Sequence, residues 1–158
     1  MNIFLEPHKH MLTRLIEFNV DFILVGGYAV NYHGYNRATG DMDIWLRPDN
    51  SNRQAFLELL KADGFDENSL SHVSQIDFTK AVAFHVGEKP LQIDFLTKLS
   101  GVKYDEVLQK KETFHLDNIK IPVIHLDDLI VSKIATGRLR DKNDVEELQK
   151  ILRLKKKM

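Results

Sequence analysis

LVGGYAVNYHGYNRATGDMDIWL, residues 24–46, is the stretch on which the fold of this chain turns. It is preceded by Phe22-Ile23, so residues 22–25 make a short apolar run that ends at Gly26-Gly27, the pattern of a buried strand entering a tight turn. A helix is predicted over 28–33 and Gly34 stops it. A strand over 41–46 follows, closed by Pro48. Successive side chains of a strand point to opposite faces, so Asp41, Asp43 and Trp45 share one face while Met42, Ile44 and Leu46 share the other. The apolar face belongs to the core. That leaves two carboxylates side by side on a mostly buried strand, where they repel unless a cation neutralises them. Hard oxygen ligands of this kind suit Mg²⁺ or Mn²⁺. Read alone, the pair also fits an edge strand with two solvated acids.

The turn before this strand has its own chemistry. Two residues without side chains let backbone approach a ligand closely, and the N-terminus of the following helix offers N–H groups to a phosphate. A Gly-Gly turn also has purely structural explanations, and this one is neither a P-loop nor a GxGxxG fingerprint. Tyr28, Tyr32 and Tyr35 make a helical stripe that fits a core face or a surface for stacking a base.

Working outward, Met11, Leu12, Leu15, Ile16 and Phe18 repeat with a helical period. Ser51 is the predicted N-cap of a helix running through Leu60 and ending before Gly64. The polar stretch Ser71-His72-Val73-Ser74-Gln75 reads as loop or edge. Strands are predicted over 80–86 and 91–96, joined by Gly87-Glu88-Lys89-Pro90 as a hairpin. A short helix near 104–110 and a second hairpin over 113–116 and 119–124 follow, and 126–154 is helical with a break at Gly137. The alternation predicts an α/β (α+β) class with a mixed sheet flanked by helices. It predicts a single domain over 1–158 with a helical segment at 125–154.

Asp94, set inside Leu91-Gln92-Ile93-Asp94-Phe95-Leu96, is an acid in an apolar strand, where propensity disfavours it and a partner is required. The partner is either a metal shared with other acids or a paired Arg or Lys. Leu91, Ile93 and Phe95 lie on one face, with Gln92, Asp94 and Leu96 on the other. Asp77 sits in the same Ile-Asp-Phe tripeptide but after the polar stretch. Asp94 is therefore chosen as the third acid, expected within about 5 Å of Asp41 or Asp43.

Composition limits the alternatives. A chain of 158 residues, 43% hydrophobic, fits one ordinary domain with enough apolar mass for a core. It has no cysteine, which excludes disulfides, thiolate zinc sites, iron–sulfur clusters and cysteine nucleophiles. No apolar run reaches the ~20 residues of a membrane span, and the opening Met1-Asn2-Ile3-Phe4-Leu5-Glu6-Pro7 lacks the regions of a signal peptide. A soluble, cytoplasmic protein is expected. The net charge of −1 conceals Lys150, Arg153, Lys155, Lys156 and Lys157 near the end, without which the remainder carries −6. Such a tail either attracts phosphate backbones or complements a helix dipole and ends in solvent. His8 and His10 fit a mobile surface pair better than a metal site.

A Gly-Gly turn after a strand, then an Asp-x-Asp strand, then LQIDFL at 91–96 resembles the DNA polymerase β-like nucleotidyltransferase superfamily. IPVIHLDDLIVSKIATGRLRDKNDVEEL, residues 121–148, is similar to the carboxy-terminal helical segment of its minimal bacterial members, toxin and abortive-infection types among them. The resemblance implies metal-dependent transfer of a nucleoside monophosphate from an NTP to a hydroxyl or similar acceptor, with release of pyrophosphate. By it, Asp41 and Asp43 hold two Mg²⁺ ions (Mn²⁺ being the alternative). Asp94 ligates one of them and helps deprotonate the acceptor. Gly26 and Gly27 cradle the triphosphate, Arg37 and Thr39 fix the loop or touch phosphate, and Lys133 reaches the phosphates. Tyr28 stands where many relatives carry a phosphate-binding Ser, so phosphate binding leans on backbone N–H groups. The resemblance leaves the acceptor open among a protein, a tRNA end and a small molecule, and allows a cognate antitoxin as partner. Arg140, Asp141 and Asp144 resemble a charged helix motif of related proteins and equally fit surface ion pairs. The competing class is a non-catalytic module that keeps this fold to bind nucleic acid or a partner protein. Three carboxylates gathered without a metal argue against it.

Overall fold

A computed structural model describes residues 4–158. In chain order the elements are α1 (Glu6–Glu17), β1 (Phe22–Val25), α2 (Gly26–Tyr32), β2 (Met42–Leu46), α3 (Asn50–Ala62), α4 (Glu67–Ser74), β3 (Ala83–Val86), β4 (Ile93–Leu96), α5 (Tyr104–Lys110), β5 (Glu112–Leu116), β6 (Ile119–Val123), α6 (Leu126–Thr136) and α7 (Leu139–Lys156). The strands form one mixed sheet in the order β3-β4-β2-β1-β6-β5. β1 runs antiparallel to β2 and parallel to β6, while β2 runs parallel to β4. The two hairpins expected from their turns are both present and antiparallel. The reading of the chain's start as lacking a signal peptide falls partly on residues 1–3, which lie outside the described residues. Among the described residues no helix is long and apolar enough to cross a membrane.

Of the inner strands only β1 reads as a continuous apolar run, the pattern of a strand buried on both faces. All four residues of β1 are buried, and so are Ile44, Trp45 and Leu46 of β2. Trp45 shares a face with Asp43 but packs edge-on against Tyr104 of α5, with ring centroids 5.1 Å apart. It belongs to the core and leaves the cavity to the acids. Tyr28 is buried as well, with Tyr32 and Tyr35 packed against the same core, so the tyrosine stripe is structural. His8 is fully buried and not a surface group: its ring bonds the Tyr28 hydroxyl at 2.9 Å and the Leu91 carbonyl at 3.1 Å.

Several boundaries differ from the sequence reading. Asp49, not Ser51, caps α3 by accepting a hydrogen bond from the Asn52 N–H at 2.8 Å. Residues 71–75 belong to the end of a helix, α4, whose N-cap Asp66 accepts from the Ser69 N–H at 2.8 Å. Only Val73 of α4 is buried, so no apolar stripe announced it. α2 begins two residues before its predicted start, directly on the glycines. The third strand is shorter than 80–86, and the Thr97 side chain takes over pairing there, accepting from the Val82 N–H at 3.0 Å.

α7 carries the basic end of the chain, and residues 153–158 are exposed. Arg138, Arg140 and the acids around them lie at its other end, about a dozen residues or ~18 Å away along the helix. Truncation after Leu152 is therefore expected to leave nucleotide affinity unchanged when measured by calorimetry. A marked loss would place the basic end at the ligand.

Candidate active site

Strand pairing sets the site. β2 and β4 run parallel with Asp43 in register with Asp94, so two carboxylates stand on neighbouring strands about 4.8 Å apart at the backbone. One position back on the same face lie Asp41 and Gln92, and the Met42 N–H bonds the Gln92 carbonyl at 3.2 Å. The Gln92 amide donates to Asp94 Oδ1 at 2.7 Å and approaches Asp41 Oδ2 at 3.5 Å. Lys89 Nζ lies 3.8 Å from Asp41 Oδ2. On the outer side β3 places His85 opposite Asp94. Burial, with the charges of Asp94 and Asp41 added, pushes the Asp43 carboxyl up to about 7, against the opposing pull of Lys133 and Arg140. Asp77 takes no part. Its carboxylate accepts from the Thr79 hydroxyl at 2.7 Å, the Thr79 N–H at 3.0 Å and Asn50 at 3.2 Å, which hold its pKa below the ordinary value.

Both glycines are dictated by contact. Gly26 has φ +67°, and a Cβ there would collide with the Asp43 carboxyl group. A Cβ on Gly27 would collide with the Thr39 hydroxyl. The space above the turn is thus occupied by two of the predicted site residues, which lie directly on the backbone where α2 begins. Arg37 fixes the loop leading to β2: its guanidinium forks onto Asp144 with bonds of 2.7 and 2.8 Å. That planar, two-point geometry is specific to arginine.

Lys133 stands on the neighbouring helix α6. Its ammonium group lies 3.0 Å from Asp141 and 2.9 Å from Asp144, both all but inaccessible to solvent. Asp141 also accepts from Thr136 and, at 2.7 Å, from Arg138. Burial raises the Asp141 carboxyl, but hydrogen bonds from Thr136, Lys133 and Arg138 outweigh it and bring it to about 2. Arg37, Lys133 and Arg138 with Asp141 and Asp144 therefore form one ionic cluster around two buried acids, with Arg138 on its exposed side. Asp141 and Asp144 are not the surface pairs that helical spacing suggested.

Two cavities meet at the acids. One, of about 430 Å³, runs over Gly26, Gly27, Thr39 and Asp41 and is mostly polar. The other, of about 630 Å³, opens between β3, residues 97–100 and α6, where Phe95, Leu96, Leu99 and Leu129 give it an apolar wall. Asp43, Asp94, Lys133 and Arg140 line both. Among the described residues no three acids or histidines stand as a ready-made metal cage. The donor set nonetheless fits Mg²⁺, which is held by one or two carboxylates and completed by water and substrate phosphate. The raised Asp43 carboxyl points the same way, since a cation would offset both the burial and the neighbouring acid charges that raise it.

The structure thus brings together Asp41, Asp43, Asp94, Gly26, Gly27, Arg37, Thr39 and Lys133 around one pair of cavities. Sequence reasoning placed Gln92 on the Asp94 face but gave it no role, and it missed His85. The alternation of the two strands could have found both, because His85 and Gln92 fall on the acid face once the hairpin is registered.

A mixed sheet with an acid row beside a glycine turn is the arrangement of a nucleotidyltransferase. The chain belongs to the family described as nucleotidyl transferase of unknown function (DUF2204), whose model matches residues 5–158. Among solved structures it is similar to the lincosamide antibiotic adenylyltransferase LnuA in its lincomycin-bound crystal structure. That similarity has a TM-score of 0.59 and 15% identity, and covers 96% of this chain and 99% of the other. At that identity the likeness is one of fold. No curated protein matches the chain.

Proposed function

We propose that this protein is a divalent-cation-dependent transferase that moves a nucleoside monophosphate from an NTP to a hydroxyl of a small-molecule acceptor. The observation that carries the reading is the registered pair Asp43 and Asp94, with Asp41 beside them, at the junction of a polar and a partly apolar cavity. The polar cavity takes the triphosphate. Backbone N–H groups at the start of α2 and the cations Lys133 and Arg140 meet its oxygens, while Arg37 and Thr39 hold the loop in place. The partly apolar cavity takes the acceptor, as the lincomycin-bound neighbour suggests for a protein of this fold.

Asp41, Asp43 and Asp94 would hold Mg²⁺ or Mn²⁺, which neutralises charge on the attacking and leaving oxygens. Asp94 accepts the acceptor's proton as its oxygen bonds to the α-phosphorus. The bond from that phosphorus to the bridging oxygen breaks, and pyrophosphate leaves with the electron pair. A cytoplasmic setting and an antitoxin partner belong to this reading through the family resemblance.

The test is incubation with each α-labelled NTP, Mg²⁺ and a fractionated cell lysate. Label is expected in a small-molecule fraction and lost with Asp94→Asn. Label in RNA or protein would reassign the acceptor, and no label in any fraction would favour the non-catalytic module.

Arg140 is exposed, and no salt bridge among the described residues holds it. Arg140→Ala is expected to raise the KM for NTP about tenfold, the scale of one charge-assisted hydrogen bond, without shifting the melting temperature. An unchanged KM would remove Arg140 from the phosphate site.

A further inference from the structure

Four positions form a rectangle on one face of the sheet: Asp41 and Asp43 on the β2 side, Gln92 and Asp94 on the β4 side. Three corners are acids. The fourth is an amide of matching polarity that carries no charge. A glutamate there would add a fourth mutually repelling carboxylate, whereas the Gln92 –NH₂ group supplies donors to its neighbours. It donates to Asp94 Oδ1 at 2.7 Å, a short bond that fixes the plane of that carboxylate, and reaches 3.5 Å from Asp41 Oδ2. The second contact is at the outer limit of a hydrogen bond and serves as a weak guide. Gln92 is half-buried, and its amide is held by these two carboxylates.

We infer that Gln92 is a positioning residue for the cation site: its amide turns the Asp94 carboxylate, and to a lesser degree that of Asp41, so that their free oxygens face Asp43. The inference rests on the reading of these acids as the cation ligands and goes beyond it by assigning the group that orients them. The physical ground is general. A carboxylate that binds a metal is oriented by a hydrogen bond to its other oxygen, and loss of that outer partner commonly weakens metal affinity by about 10–100-fold. Oδ1 of Asp94 is engaged by Gln92 in this way, which leaves Oδ2 for the ion.

The experiment uses the full chain and Mn²⁺ alone, without nucleotide, with affinity measured by calorimetry and by electron paramagnetic resonance. Gln92→Met keeps the length of the side chain and removes both donors. Its Mn²⁺ affinity is expected to fall about 10–100-fold. Its melting temperature in chelator reports whether it is folded, and Gln92→Asn, which keeps an amide on a shorter arm, is expected to recover part of the affinity. A purely structural Gln92 would change the melting temperature and leave Mn²⁺ affinity alone. Equal or tighter binding by the folded Gln92→Met protein overturns the inference while leaving the acids as ligands. Wild-type protein that binds no Mn²⁺, or an Asp94→Asn protein that binds it as well as wild type, overturns the acid reading and the inference together.

Discussion

Asp43→Asn is expected to lower nucleotidyl transfer by about 10³-fold or more while making the cation-free protein more stable. The first effect is the loss of a carboxylate that would hold the cation, whose charge stabilisation is worth several kcal/mol at the transition state. The second follows from the direction of the Asp43 shift. Its carboxyl sits near 7 in the folded chain against an ordinary 3.8, so the folded state holds more protons than the unfolded state between those values. Stability from this group is complete below about 3.8 and is lost as pH rises through about 7. In chelator, the wild type should thus be less stable at pH 8 than at pH 5, by at most ~3 kcal/mol. The Asp43→Asn protein should lack that component. Urea denaturation of both proteins at the two pH values measures it. A wild type with no such pH dependence would mean that burying the Asp43 charge costs little, and a variant of full activity would remove Asp43 from the reaction.

Lys133→Met is expected to cost about 3–5 kcal/mol of folding stability, because it strands Asp141 and Asp144 as buried carboxylates short of a partner. By the family resemblance Lys133 reaches the phosphates, and this folding cost is expected in addition to that role. The cost comes from geometry: the ammonium group is within 3.0 Å of two acids that solvent scarcely reaches. Asp141, brought to about 2, contributes stability that is present above 3.8 and lost as pH falls through about 2. The mutant should therefore lose stability across neutral pH and recover part of it in acid, where the stranded carboxylates protonate. A Lys133→Met protein of wild-type stability would show that the two acids do without this ammonium group.

The acid face of β2 was legible because strand alternation needs only one segment, and Asp41, Asp43 and Asp94 each declared themselves as acids among apolar neighbours. Their mutual placement was not, since the parallel register of Asp43 with Asp94 joins strands 51 residues apart and no local rule sets it. The ionic cluster was hidden for a related reason. Arg138, Asp141 and Asp144 repeat every three residues, the spacing of exposed helix pairs, and only the docking of α7 against α6 and the 36–40 loop buries the two acids. Gly26 and Gly27 were legible as necessary, but not the side chains that make them so.

The bidentate bond between Arg37 and Asp144 spans 107 residues. Every strand from β2 to β6 lies between its partners in chain order. A ribosome delivers the acid row by residue 94, whereas Lys133, Asp141 and Asp144 emerge later. During that interval the loop that carries Arg37 lacks its Asp144 partner. Closing so long a loop is slow compared with forming a hairpin. The bond that anchors the Arg37 loop is thus among the contacts that a chain still in synthesis lacks longest.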